Sequence, residues 1–211
     1  MRTDELIAVL AADDSRPGWV GGRFGAVLAV GVLAALIGLW IALGPPLAAR
    51  AERWEAASLA KLLYPLSIAL IAAAAAVQAG RPGADAGGRV RLLAIPLLLV
   101  AAGAIVDMAA EPPSGWAGLL FGSTFWTCLA AVTVASVPLF AGLTWAFSLL
   151  APTRPRLAGF LVGLASGAAG AVAYAFYCPE LSPAFLLATY TLAMLIPALA
   201  GAMAGPRLFR W

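Results

Sequence analysis

Residues 157–204 read LAGFLVGLASGAAGAVAYAFYCPELSPAFLLATYTLAMLIPALAGAMA. Two apolar runs, near 157–177 and 184–204, are separated by a short polar break, AFYCPELSP, at 175–183. A hydrocarbon core about 30 Å thick needs about 20 apolar residues in a helix. Each run meets that length, and the break has the Pro and Ser content of a turn. The stretch therefore predicts two antiparallel membrane helices joined at one surface.

The same pattern extends over the whole chain. Further candidate spans lie near 24–44, 59–79, 91–110 and 126–150. The run from Trp116 to Leu150 is too long for one span. It predicts an interfacial piece at 116–123, then a helix capped by Ser123 or Thr124, with Phe125 and Trp126 at the headgroup level. The expected fold is all-α, a six-helix polytopic membrane protein. Composition agrees: of 211 residues, 63% are hydrophobic and 11% charged, against about 25% charged in a soluble domain. The mean hydropathy is +0.96. Neither an internal repeat nor an inverted repeat of the transporter kind is evident.

Six spans put both ends on one side. One set of flanks carries Arg2, Arg16, Arg23, Arg81, Arg89, Arg91, Arg154, Arg156, Arg207 and Arg210; the other carries only Arg50, Arg53 and Lys61. The positive-inside rule then predicts that both termini are cytoplasmic. The first span is longer than a signal-peptide core and follows an acidic leader, so a cleaved signal is not expected. The net charge of +3 has the same membrane explanation and requires no nucleic acid.

The chain has no histidine and two cysteines. That excludes a Ser-His-Asp triad, a His-ligated zinc site and a four-cysteine metal site within one chain. Nothing in the chain reads as a catalytic constellation, so it is not expected to be an enzyme. Cys128 lies near the outer start of span four and Cys178 at the outer end of span five. The two legs from the turn at 151–156 match to within a few ångströms at about 1.5 Å per residue, so both thiols sit at one depth. Gly159, Gly163 and Gly167 form a small-residue ridge for close helix packing. Cys178, eleven residues beyond Gly167, continues that face to within about 20°. A partner such as span four would bring Cys128 alongside. Two buried apolar cysteines, a disulfide and a thiol-metal site all remain open on this reading.

Asp107 and Glu111 share a helix face at the outer end of span three, and Glu180 follows Cys178 by two. These acids are candidate accessory ligands, and Lys61 is a candidate counter-ion. Asp107, about one turn inside its span, is a functional candidate by default. No obligatory cofactor is expected; a thiophilic metal ion would bind transiently.

The polar N-terminal segment, residues 1–23, contains a short amphipathic stretch. Thr3 caps it, Asp4 and Glu5 suit its N-terminal dipole, and Leu6, Ile7 and Leu10 form one apolar face. Its acidic flank favours a protein partner over a lipid surface. Residues 24–211 form the membrane domain.

Taken together, TDELIAVLAAD (3–13), Lys61, APTRPRLAGFLVG (151–163), YCPELSPAF (177–185) and the terminal GPRLFRW (205–211) resemble the NrsF-type membrane anti-sigma factors. The resemblance covers essentially the whole chain, and Cys178–Glu180 with Arg210-Trp211 carry it most specifically. It implies six inner-membrane spans and a cytoplasmic N-terminus that sequesters an extracytoplasmic-function sigma factor. It also implies periplasm-facing cysteines, here Cys128 and Cys178, linked to heavy-metal stress. Two departures stand out: the family often has His where this chain has Tyr177, and Trp where it has Thr189. The implied partners are the sigma factor and membrane lipid, with a homodimer through the glycine ridge as a further candidate and no direct contact with nucleic acid. A small transporter for a metal or organic solute is the competing reading, and a membrane thiol oxidoreductase a third.

Overall fold

A computed structural model describes residues 18–45, 56–81, 83–147 and 150–209. The N-terminal residues Thr3, Asp4, Glu5, Leu6, Ile7 and Leu10 lie outside the described residues, as do Arg210 and Trp211. Every regular element among the described residues is helical. Span one is α1 (Gly18–Leu43) and span two is α2 (Ala56–Ala79). Span three is α3 (Gly87–Leu92) followed by α4 (Ala94–Ala110), with Leu93 between them. A short helix α5 (Trp116–Phe121) precedes span four, α6 (Phe125–Phe147). Span five is α7 (Pro155–Ala175). Span six comprises α8 (Pro183–Phe185), a π-helical turn (Leu186–Tyr190) and α9 (Thr191–Leu208). Six of these stretches are long and apolar enough to cross a membrane.

The break expected within the long fourth run is present. Gly122 turns the chain between α5 and α6 at φ 55°, a conformation that favours glycine. Helix α1 begins earlier than the expected residue 24. Arg23 is accommodated within it because its guanidinium lies 3.6 Å over the Trp145 ring, a cation–π contact.

Span five is the centre of the bundle, with 83% of its apolar window buried, against 11% for spans one and three. Its small residues explain the position, since they let backbones approach from several sides. A Cβ added at Gly159 would land on the Gly201 carbonyl, one at Gly163 on the Pro197 carbonyl, and one at Gly167 against Pro197 and Met194. The ridge therefore packs on span six. Span four, one candidate partner for this helix, meets an adjacent face, where a Cβ at Gly170 would sit 3.0 Å from the Val132 carbonyl. The ridge face is thus occupied within the chain by span six. Outer faces are apolar: Ile41, Leu99 and Val106 are more than two-thirds exposed, as suits lipid contact and not water.

The bundle has two distinct ends. At one, the Phe24 and Phe209 rings both pack on Phe147, with centroids 6.1 and 4.6 Å away. This fixes the start of span one and the end of span six on the same side. Leu150 and Phe147 also press against Gly80, at the end of span two. The opposite end holds both cysteines.

Candidate functional site

The loop at 176–182 is built by chain termination. The Tyr177 and Cys178 amides both donate to the Tyr174 carbonyl, at 2.8 and 3.1 Å, which closes the last turn of span five. Pro179 has no N–H with which to continue the helix. Span six then starts on a Ser-Pro pair. The Ser182 hydroxyl accepts from the Ala184 amide at 3.1 Å as an N-cap, and Pro183 occupies N1.

Both thiols lie buried at this end of the bundle. Cys128 is 0% and Cys178 3% exposed, and the two are unlinked. Cys178 Sγ lies 3.9 Å from Thr124 Oγ1. Thr124 is one turn from Cys128, whose amide donates to the Thr124 carbonyl at 2.8 Å. The thiols are close enough to interact electrostatically with each other and with Lys61. The common depth and the facing of spans four and five thus agree with chain arithmetic.

Three other spans are tied to the same loop or its edges. Lys61 of span two is buried, and its ammonium donates to the Cys178 carbonyl and, at 3.1 Å, to the Glu180 carbonyl. The expected counter-ion is therefore anchored on main-chain oxygens, with the Glu180 charge nearby. The Glu180 carboxylate accepts from the Ser123 amide and hydroxyl, both at 2.8 Å. It sits just before the N-terminus of α6, where the helix dipole favours an anion. Gly122 makes this approach possible: a Cβ there would lie 2.7 Å from the Glu180 carboxyl. Ser123 and Thr124, expected as caps, reach across to the 178–180 turn with their side chains.

In span three, Asp107 accepts from the Ser182 hydroxyl at 2.8 Å. Glu111 is exposed, and its main-chain carbonyl accepts from the Trp116 indole at 3.3 Å. Asp107 and Glu180 thus both anchor the C-terminal half of the loop. Among the described residues no three His, Cys, Asp or Glu side chains gather as a metal-holding group. Of the acids expected as accessory ligands, Asp107 and Glu180 accept hydrogen bonds from Ser182 and Ser123, and Glu111 stands in the open.

Sequence reading passed over two buried tyrosines. Tyr174 is 2% exposed and its hydroxyl pairs with Thr124. Tyr190, 0% exposed, lies beside both thiols. The polar triplet Thr189-Tyr190-Thr191 inside an apolar run was the available signal. Its neighbours are fixed: the Thr189 hydroxyl donates to the Leu120 carbonyl at 3.0 Å, and Thr191 and Tyr64 share a 2.7 Å hydrogen bond.

The family described as NrsF, negative regulator of sigma F, has a model that matches residues 10–211. The chain belongs to this family. It is 35% identical over 220 aligned positions to the anti-sigma-F factor NrsF of Caulobacter vibrioides (strain NA1000 / CB15N), covering the whole of both chains. It is also 40% identical over 137 residues to a probable anti-sigma-F factor NrsF of Azospira oryzae (strain ATCC BAA-33 / DSM 13638 / PS). That second match covers 65% of this chain and spans 64% of the Azospira protein's length. No solved structure is similar to the chain. The family match includes the 176–182 loop, both cysteines, Lys61 and the three ridge glycines, while Thr3 to Ile7 precede it.

Proposed function

We propose that this protein is an inner-membrane anti-sigma factor whose paired thiols receive a heavy-metal or thiol-reactive signal. The N-terminal segment, with Leu6, Ile7 and Leu10 as its apolar face, holds an extracytoplasmic-function sigma factor on the cytoplasmic side. The loop at 176–182 faces the periplasm. The described arginines support this orientation, since Arg23, Arg81, Arg89, Arg91, Arg154, Arg156 and Arg207 flank the span ends opposite the thiols.

The observation that carries the reading is the loop itself. One seven-residue turn carries the buried Cys178 and is fastened to span two by Lys61, to span three by Asp107 and to span four by Ser123. A reagent that takes Cys178 must displace the loop, and displacement disturbs every one of these anchors. Lys61 makes span two the natural carrier, because its far end packs Gly80 on Phe147, the ring that also receives Phe24 of span one. The warrant for this route is contiguity of packing, a hypothesis to be tested by coupling measurements. Such a protein acts by sequestration and needs no catalytic group.

The test is co-purification of the sigma factor with the full membrane protein. Replacing residues 1–17 by a Gly-Ser segment abolishes capture while leaving membrane insertion intact. Undiminished capture would sink the docking assignment.

A further inference from the structure

We propose that Tyr190 is a third functional group of the thiol site, its hydroxyl held ready to donate a hydrogen bond to Cys178 Sγ when the two thiols bind a divalent thiophilic cation. The proposal rests on the sensing role assigned above to Cys128 and Cys178.

The Tyr190 hydroxyl is fully buried and makes no hydrogen bond of ordinary geometry among the described residues. It interacts with both sulfurs, and the Cys178 thiol is the one within hydrogen-bond reach. Leaving such a group unpaired is costly, and the same ring without its oxygen would pack equally well against Phe185, 6.1 Å away edge-on. The ring has little freedom to seek another partner. It ends a π-helical turn, Leu186–Tyr190, and the residue before it is tied to Leu120. Single π turns are frequent at functional sites.

A neutral thiol is a weak acceptor, whereas a sulfur carrying negative charge is a strong one. Binding of a divalent cation breaks two S–H bonds and forms two metal–sulfur bonds. Two protons leave to the external water, and Tyr190 keeps its own. The sulfurs then hold charge that a buried donor stabilises. The acids do not supply a third ligand here, since Asp107 and Glu180 are engaged by Ser182 and Ser123. Tyr177, next to Cys178, is turned away towards the Leu36 carbonyl, 3.5 Å from its hydroxyl. Tyr190 is therefore the side chain placed to answer a change at the sulfur.

Tyr190→Phe separates this role from a packing role. The full chain is titrated in nanodiscs with cadmium(II) chloride, and sulfur-to-metal charge-transfer absorption is read alongside thermal stability. The chain has no histidine and no other thiol to confuse the signal. The expected result is stability equal to or above the parent, with cadmium bound about tenfold more weakly, equivalent to about 1.4 kcal/mol. Parent-like cadmium affinity, or a clear loss of stability, overturns the proposal. Cys178→Ser is run beside it. If that variant loses cadmium while Tyr190→Phe does not, the tyrosine role fails and the thiol site stands. If Cys178→Ser binds cadmium like the parent, the thiol site itself fails and the tyrosine role with it.

Discussion

Replacing Lys61 by Met keeps the side-chain volume and removes the ammonium. Two main-chain carbonyls, of Cys178 and Glu180, then lose a charged donor. Hydrogen bonds to charged groups contribute about 1.5–3 kcal/mol each, so the loop loses about 3–6 kcal/mol of attachment. The cost of burying the ammonium disappears with it, which makes the lower end, about 3 kcal/mol, the working figure. An opening equilibrium shifted by about 3 kcal/mol changes by roughly 100-fold. Cys178 is 3% exposed, so its alkylation requires opening, and the rate follows the open population when closing is fast. Labelling by a membrane-impermeant maleimide in spheroplasts is therefore expected to accelerate about 100-fold in Lys61→Met, counting only Cys178 adducts by mass spectrometry. Lys61→Arg, which retains a donor, recovers most of the protection. A parent-like rate in Lys61→Met would refute the idea that this ammonium holds the loop closed.

Gly163→Val drives a side chain into the Pro197 carbonyl. Backbone cannot yield as a flexible side chain does, so a loss of about 3 kcal/mol or more is expected as a collapse of monodisperse yield in detergent. Gly21→Ala, which meets open space, serves as the neutral control. Gly122→Ala places a non-glycine residue at φ 55° and crowds Glu180. The backbone penalty of about 1–3 kcal/mol in this glycine-specific region is expected to raise Cys178 labelling about tenfold or more without loss of the folded protein.

Six apolar runs, the break before span four and the common depth of the thiols were legible because they depend on length and rise per residue. The glycine ridge was legible as a face. Its partner was not, because helical phase says which residues share a side and not which helix lies against it. Span six took that place through Gly201 and Gly205, small residues that match the ridge. Lys61 was recognised as the cation of the site, but its partners are carbonyls of a loop whose shape depends on Pro179 and the Ser182 cap. The acids were placed at the thiol end, but their hydrogen-bond partners were not legible, since Ser182 and Ser123 are brought to them only by the tertiary fold. Tyr190 stayed hidden because a tyrosine in an apolar run reads as packing until its hydroxyl is found buried beside the Cys178 thiol. The break at Leu93 and the π turn likewise depend on neighbours that a single chain pattern does not reveal.

The central claim is that the buried thiols receive the signal that frees the sigma factor. A sigma-dependent reporter in cells carrying Cys128→Ser/Cys178→Ser, challenged with cadmium(II), tests it most directly. The account predicts a reporter that stays silent before and after challenge, with the sigma factor still co-purifying. Induction equal to that of the parent would contradict it.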